Sequence, residues 1–249
     1  MTQQLDALGD PLPTFRWSFS QWETYHTCPA KWKFRYRMRL PGLPAGPAAA
    51  RGTECHLRVD NYIMGLDDRV DVLMKGRDTG HDGYFPASIH SKYLPIINTF
   101  KYHENGDVGA EKKLGLDVDW KPHPPTSPAA SVIGVLDAYR FTNDGILHIG
   151  EWKTGSPKDT HSEQRSLYSL FGLTHWHPKE VYVTTHYLEG KGESKRLKAT
   201  PEAEGRLIEK WQGRVDTMRG DSMCSPRPGH YCNWCDYAKK KGGPCEFGR

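Results

Sequence analysis

The chain has 249 residues, of which 37% are hydrophobic and 26% are charged, a composition typical of one large globular domain or of a domain with an appended module. No run of 18 apolar residues occurs, so a membrane-spanning helix is not expected. The polar start lacks the basic and apolar stretches of a secretory signal, and we expect a cytoplasmic location, or the host cytoplasm if a phage encodes the chain. The formal net charge of +4 permits a polyanionic partner without requiring one.

The first part of the chain is predicted to be helical after a flexible leader over residues 1–17. Ser18 or Ser20 can cap a helix beginning near Gln21, and Glu23 stands where a capping box with Ser20 requires an acid. Residues 32–40 alternate with a period of two, which predicts a strand, although a helix remains open because basic residues four apart there would share a face. The pattern then predicts a loop over 41–50, a helix over 53–64, irregular chain over 65–84 and a helix over 88–103.

The centre of the chain is predicted to be a sheet. Residues 109–120 alternate apolar and polar side chains, and the prolines of 121–128 require a connection. Residues 131–141 and 146–153 are predicted to be paired strands, because the turn between them supplies residues that tolerate a positive φ. A helix over 161–175, a strand over 180–187, a helix over 201–218 and a Cys-rich tail from residue 221 complete the prediction. The fold class is therefore α/β, a central mixed sheet flanked by helices.

Two acidic residues interrupt the apolar pattern of the paired strands. Asp137 follows the apolar run of the first strand, and Glu151 follows that of the second, with Lys153 two residues later on the same face. Buried carboxylates need compensation, and a hard divalent cation such as Mg²⁺ or Mn²⁺ supplies it. An ordinary Glu-Lys surface pair is the alternative. Asp137 on the adjacent strand favours a metal site, with the lysine contacting a scissile group or an attacking water.

The chain contains six cysteines: Cys28, Cys55, Cys224, Cys232, Cys235 and Cys245. In a cytoplasmic protein disulfides are not expected, and the C-x-x-C at Cys232 and Cys235, with Cys245 nearby, indicates metal or cluster ligation or a redox pair. A fourth ligand would be either the local Cys224, which would give a zinc module, or the remote Cys28. Cys55 is predicted to be a buried, inert thiol.

These residues resemble the PD-(D/E)XK nucleases, specifically their RecB-like branch. The family's G-x-x-D matches residues 134–137, its E-x-K-T-G matches residues 151–155, its Q-x-x-x-Y matches Gln164 and Tyr168, and its R-G-T-x-x-H matches Arg51 through His56. The resemblance implies a restriction-endonuclease-like core, with Asp137, Glu151, Lys153, Gln164 and Tyr168 in the catalytic site.

The same resemblance implies a Mg²⁺ or Mn²⁺ site. Asp137 and Glu151 would bind the ion, and His56 would be an additional ligand, although a lone histidine is more often structural. Glu111 resembles the upstream acid found in many relatives, and a solvated strand residue is its equally plausible alternative.

The N-terminal stretch resembles RecB-like nucleases that carry an iron–sulfur cluster, including AddB-type nuclease domains and CRISPR-associated RecB-like exonucleases. Ser18, Ser20, Tyr25 and Cys28-Pro29 fit their opening pattern. The resemblance implies a [4Fe–4S] cluster held by Cys28, Cys232, Cys235 and Cys245, joining the C-terminal segment to the N-terminal helix. The nine residues before Cys245 exceed the usual gap, so zinc remains an alternative.

Together these matches imply a single RecB-like nuclease domain over 18–249, with an N-terminal cluster-ligand helix and basic segment (18–50), a nuclease core (51–200) and a C-terminal helix and cluster segment (201–249). The implied function is a metal-dependent DNA exonuclease acting on single strands or duplex ends, in recombination, repair or phage DNA metabolism. No phosphate loop of an ATP-driven motor is present, so a helicase or recombination partner would be a separate chain. The alternatives are an inactive DNA-binding or assembly subunit, and a zinc-bearing nucleic-acid module.

Basic residues near both ends of the chain are candidate DNA contacts. One group comprises Lys31, Lys33, Arg35 and Arg37, interleaved with aromatic residues, and Arg51 and the run 239–241 follow later. Phosphate neutralisation and base stacking would use such a pattern. A solvated surface is the ordinary alternative.

Overall fold

The computed structural model describes residues 15–44, 46–76, 88–101 and 107–247. The chain divides into two compact units, each assembled from separate stretches of sequence. Unit 1 comprises residues 1–44, 115–133 and 209–249, and unit 2 comprises residues 45–114 and 134–208. Within the described ranges, no helix combines the length and apolar character needed to cross a bilayer.

The described residues form a mixed sheet of seven strands in the order β3-β2-β4-β5-β6-β7, with β1 pairing parallel to β4. The strands are β1 (Trp17–Ser18), β2 (Asp107–Leu116), β3 (Pro122–His123), β4 (Val132–Phe141), β5 (Ile146–Lys153), β6 (Glu180–Tyr187) and β7 (Lys195–Ala199). Strands β4 and β5 pair antiparallel, β5 and β6 parallel, and β6 and β7 antiparallel. The predicted mixed sheet is confirmed.

Helices flank this sheet, as the fold class predicts. They are α1 (Phe19–Thr27), α2 (Pro29–Trp32), α3 (Pro47–Ile63), α4 (Val70–Lys75), α5 (Leu94–Asn98), α6 (Thr160–Trp176) and α7 (Glu204–Gly220). A π-helical turn, Lys33–Arg37, follows α2, and short 3-10 turns cover Ser91–Tyr93, Pro201–Ala203, His230–Trp234 and Lys239–Lys241. The restriction-endonuclease-like α/β architecture is confirmed.

The core of unit 2 forms where α3 packs on the sheet and on the short helices that follow it. Val59 and Ile63, four residues apart on α3, are fully buried there with Trp152 of β5. Cys55 lies one turn earlier and has no exposed surface, and burial raises the pKa of its thiol to about 12. Its predicted burial is confirmed.

The core of unit 1 is a cluster of tryptophan rings. Trp17 stacks on Trp211 with ring centroids 5.8 Å apart, and Trp22 meets Trp211 edge-on at 5.2 Å. The Tyr25 hydroxyl donates a hydrogen bond to Asp221 at 2.9 Å, so the start of the Cys-rich segment is held against α1. The start of the C-terminal segment therefore contacts the N-terminal helix directly.

The sequence pattern of residues 32–40 left a strand and a helix open, and the structure has a helix. Residues 33–37 form a π-helical turn, in which the Met38 N–H donates to the Lys33 carbonyl and the Arg37 guanidinium packs over the Trp32 ring. The basic-aromatic alternation therefore does not follow one face of a sheet.

Three further boundaries differ. Trp17, placed in the leader by its sequence, is a buried strand residue, since its ring packs in the tryptophan cluster. Helix α3 begins at Pro47 inside the predicted loop, because proline is favoured in a first helical turn. Helix α4 occupies part of the segment predicted to be irregular, burying Leu73. Residues 1–14, 77–87 and 102–106 of the predicted leader, irregular segment and helix lie outside the described ranges.

Candidate metal and catalytic site

The antiparallel pairing of β4 and β5 brings the two strand acids of unit 2 together. Ala138 lies opposite Gly150, so Asp137 and Glu151 are adjacent across the strand pair. Both are buried, at 8% and 2% exposed. The Asp137 Oδ2 accepts a hydrogen bond of 2.7 Å from the Trp152 backbone N–H, which fixes the carboxylate against β5.

A histidine and a third acid converge on Asp137. The His56 Nδ1, on α3, lies 3.5 Å from the Asp137 Oδ1. The ligand atoms of His56, Glu111 and Asp137 all lie within 4.8 Å of one another, a grouping that can hold a metal ion. Glu111, on β2, has a φ of 48°, a left-handed conformation that is strained for a non-glycine residue in a strand.

The second strand acid is held by polar side chains. The Glu151 Oε1 accepts hydrogen bonds from the Lys153 Nζ at 2.5 Å and from the Gln164 Nε2 at 2.7 Å. Its Oε2 is buried and has no hydrogen-bond partner among the described residues. Burying an unpartnered carboxylate oxygen is costly, so this atom is a natural ligand for a cation. Glu151 is nevertheless not part of the His56, Glu111 and Asp137 grouping.

Helix α6 covers this site with the predicted Q-x-x-x-Y pair. The Gln164 Nε2 lies 3.2 Å from the Tyr168 hydroxyl, one helical turn away, and both side chains are buried. A Cβ added at Gly134 on β4 would come within 2.7 Å of the Phe171 ring of α6. The glycine of the G-x-x-D motif therefore allows the close approach of α6 that brings Gln164 to Glu151.

The charges of the site are strongly coupled. Burial and the neighbouring Asp137 raise the pKa of Glu151 to about 7. Burial lowers the pKa of His56, but the hydrogen bond and the charge of Asp137 outweigh it and raise that pKa to about 9. Burial and Asp137 also raise the pKa of Glu111. Three carboxylates, those of Glu111, Asp137 and Glu151, thus face two cationic groups, His56 and Lys153. A divalent cation would offset this excess of negative charge.

The R-G-T motif serves packing around the site. The Arg51 Nε pairs with the Glu189 Oε1 at 3.0 Å, so Arg51, a candidate DNA contact, is engaged in an ion pair. A Cβ at Gly52 would meet the Thr154 hydroxyl oxygen at 3.5 Å. Sequence reasoning missed Glu189, because the acid lies 138 residues from its partner in no recognisable motif.

A separate cavity in unit 1 collects the four cysteines predicted as cluster ligands. Its lining includes Cys28, Cys232, Cys235 and Cys245. Backbone N–H groups point at two of these sulfurs, that of Arg227 at the Cys28 Sγ (3.5 Å) and that of Gly229 at the Cys232 Sγ (3.4 Å).

The alternative fourth ligand lies apart from this cavity lining. Cys224 is buried, and its thiol donates to the Asp221 carbonyl oxygen at 3.1 Å. The four thiols predicted as cluster ligands therefore share one cavity without Cys224.

The candidate DNA contacts near the N-terminus lie on α2 and the π-helical turn of unit 1. Lys31 lines the cysteine cavity, and the Arg35 and Arg37 guanidinium groups lie over the Tyr36 and Trp32 rings. Lys33 is half-buried in the same turn. The run Lys239–Lys241 is exposed in unit 1, and the Phe34 ring packs 5.6 Å from Tyr237, close to that run in sequence.

The model of the PD-(D/E)XK nuclease superfamily matches residues 16–239, most of the chain. The chain belongs to the PD-(D/E)XK nuclease superfamily. No curated protein sequence gives a significant match.

Several solved structures are similar to this PD-(D/E)XK protein. A provisionally assigned exonuclease from Eubacterium rectale is 11% identical, with a TM-score of 0.49 and coverage of 94% of this chain and 93% of that one. The structure of SSO0001 is 13% identical, with a TM-score of 0.44 and coverage of 94% and 88%. LHK-Exo in complex with dAMP is 12% identical, with a TM-score of 0.40 and coverage of 84% and 90%. The family assignment rests on the sequence match alone.

Proposed function

We propose that this protein is a RecB-like, Mg²⁺- or Mn²⁺-dependent deoxyribonuclease that hydrolyses phosphodiester bonds of single-stranded DNA or of duplex ends, from an end. The observation that carries the proposal is the convergence of His56, Glu111 and Asp137 within 4.8 Å, beside a buried Glu151 whose Oε2 has no partner among the described residues. Oxygen and imidazole donors of this kind suit a hard divalent cation.

The donor set fits one metal site with an adjacent ammonium group. His56, Asp137 and Glu151 would hold the ion, with Glu111 as a further oxygen ligand. Bound there, a divalent cation lowers the pKa of a coordinated water and stabilises negative charge on the phosphate. Lys153 donates to Glu151, and its half-buried ammonium would contact the attacking water or the scissile phosphate.

The supporting residues orient the carboxylate. Gln164 donates to the Glu151 Oε1 and so holds the second oxygen toward the site. Tyr168 is buried beside Gln164, and burial and the charge of Glu151 raise its pKa well above its usual value. Tyr168 therefore acts as a neutral hydrogen-bonding group and not as a base.

A cleavage assay tests the proposal. Purified protein with Mn²⁺ or Mg²⁺ should degrade linear single-stranded DNA, and Lys153→Ala should lower the rate by about 10²-fold or more. Lys198→Ala is the matched control, because Lys198 pairs with Glu180 on the sheet edge and should retain activity. Equal cleavage by the wild type and Lys153→Ala would end the proposal. Cleavage of circular single strands at the linear rate would remove the requirement for an end.

We further propose that Cys28, Cys232, Cys235 and Cys245 hold a [4Fe–4S] cluster. The donor set fits, because four thiols share one cavity, and backbone N–H groups point at two of the sulfurs. Anaerobically purified protein should be brown, absorb near 400 nm and contain iron and sulfide. If elemental analysis finds zinc instead of iron, the cluster proposal is wrong and the four thiols hold zinc.

The cellular role follows from the proposed activity. The enzyme would act in the cytoplasm in recombination, repair or phage DNA metabolism, with any helicase supplied by a separate partner chain. An inactive DNA-binding or assembly subunit is the alternative, and undetectable binding of Mn²⁺ by calorimetry would favour it.

A further inference from the structure

Unit 1 contains a groove of about 370 Å³ with one wall formed by helix α7. That wall consists of Lys210, Gly213, Arg214 and Thr217. These residues follow the i, i+3, i+4, i+7 spacing that places side chains on one helical face. The face is polar and basic, in contrast to Trp211, Val215 and Met218, which α7 buries.

Helix α1 forms the other wall, with aromatic side chains on one helical face. Trp22, Tyr25 and His26 line the groove at i, i+3 and i+4. The exposed His26 ring stacks on Trp22 with centroids 4.9 Å apart and planes 17° from parallel. Arg227 closes one side, and its guanidinium donates to the His26 carbonyl at 2.6 Å.

The charge of this lining has one sign. Lys210, Arg214 and Arg227 are cationic, and no residue among the described residues that line the groove carries a carboxylate. The Arg214 guanidinium lies 4.7 Å from the ring centroids of both Trp22 and Trp211, so its position is defined by packing. Three cations around one concave surface favour an anionic ligand.

The α7 wall of the groove has open space at Gly213. A Cβ built at Gly213 would meet no atom within 4 Å, so that helix position exposes its backbone to the groove. A ligand can therefore approach the backbone of α7 closely at this position.

We propose that the groove between α1 and α7 binds the phosphate groups of a nucleic-acid strand. Its three cations would neutralise phosphates, and the His26 ring on Trp22 would offer an aromatic wall for a base. The choice of a nucleic acid rests on the proposed nuclease function. The groove is separate in sequence and in unit from the carboxylate site, so its binding can be measured without cleavage.

The first test fills the groove and leaves every charge in place. Gly213→Leu should weaken the binding of a fluorescent 20-nucleotide single strand by about fivefold or more, measured by anisotropy without added divalent ions. Gly205→Leu is the matched control, because Gly205 lies on the same helix with no atom within 4 Å of its added Cβ and does not line the groove. Both changes raise helix propensity, so both variants should fold.

The second test removes charge on opposite faces of α7. Lys210→Gln should weaken binding about threefold to tenfold. It should also reduce the slope of log Kd against log salt concentration by about one, because one phosphate contact is lost. Arg219→Gln is its control, since nine residues place Arg219 about 180° around the helix, where it bonds to Asp216. The control should bind within about twofold of the wild type.

The outcomes separate this proposal from the proposed enzyme activity. Wild-type affinity in Gly213→Leu, or equal losses in Gly205→Leu, would overturn the groove assignment even if the protein cleaves DNA. Weakened binding in Gly213→Leu alone would support the groove even if the wild type failed to cleave DNA. Unchanged strand binding in Gly213→Leu, together with thermal stabilisation of only the wild type by inorganic phosphate or a mononucleotide, would replace the strand with a small free phosphate.

Discussion

In unit 2, the candidate metal ligands project from long strands and from a 17-residue helix, whereas in unit 1 three of the four cysteines lie in a segment with only short 3-10 turns. The antiparallel pairing of β4 and β5 holds the backbone of Asp137 and Glu151 in place. The cysteine segment buries little beyond Tyr237 and Ala238, and Trp234 between two of its cysteines is 69% exposed.

The comparison indicates that the fold positions the carboxylates of unit 2, whereas in unit 1 a bound ligand would order the cysteine segment. The carboxylates of unit 2 are held by the fold itself, and their like charges would favour a bound cation. The cysteine segment has too small an apolar core to order itself, so ligation would contribute to its folding directly. On the proposed function, loss of the hard cation should therefore remove activity but not structure. On the proposed ligation of the cysteines, loss of the group that they hold should remove structure.

The largest expected effect is on the cysteine segment. On the proposed ligation, Cys235→Ser should lose the iron or zinc, because it removes one of four thiolate ligands. The segment should then lose its order, because bound metal contributes on the order of 10 kcal/mol to the folding of a thiolate-held segment. Limited proteolysis should then cut within residues 221–247 while unit 2 persists. Cys224→Ser is the control, because that thiol bonds to Asp221 and does not line the cavity. Retained metal in Cys235→Ser, or its loss in Cys224→Ser, would contradict the assigned ligands.

A smaller effect, on rate and not on structure, is expected in unit 2. Glu151→Gln should lower cleavage by about 10²- to 10³-fold, because it removes the charge of one ligand beside the reacting phosphate. The midpoint of thermal unfolding without metal at pH 8 should be unchanged or higher, since the substitution removes a buried charge next to Asp137.

Glu193→Gln, at an exposed position of the same unit, is the control for both measurements. A large fall in the unfolding temperature of Glu151→Gln would mean that the carboxylate stabilises the fold and is not reserved for a cation.

The two regions also differed in how far the sequence could predict them. Residue type and strand periodicity predict the set of Asp137, Glu151 and Lys153. A carboxylate in an apolar strand is costly to bury, and its presence there indicates a compensating partner such as a cation. The sequence could not decide between a strand and a helix over 32–40, because the alternation in the π-helical turn over 33–37 arises from packing on Trp32 and Tyr237 and not from a sheet face.

Long-range pairings account for what could not be predicted within the site. Glu189 as the partner of Arg51, and the left-handed φ of Glu111, depend on strand register and helix placement that local pattern does not encode. The α1–α7 groove likewise needs two helical stripes from opposite ends of the chain to meet.

The smallest effect concerns the acid response of unit 2, where His186 lies in the core between aromatic rings. Its ring centroid is 5.2 Å from Trp152 and 5.9 Å from Tyr93. Burial and the nearby charge of Arg196 lower its pKa to about 4 from 6.5. Because the folded state binds the proton less well than the unfolded state, stability is complete above pH 6.5 and falls as the pH drops from 6.5 toward 4.

His186→Phe removes this proton linkage and keeps an aromatic ring in the core. We expect the free energy of unfolding of the wild type to fall by about 1–2 kcal/mol more than that of the variant between pH 7.5 and pH 5, measured by urea titration. The variant loses the hydrogen bond to Ser194, so its curve should lie lower at pH 7.5 and converge with the wild type in acid. Parallel curves would show that His186 does not cause the acid sensitivity of unit 2.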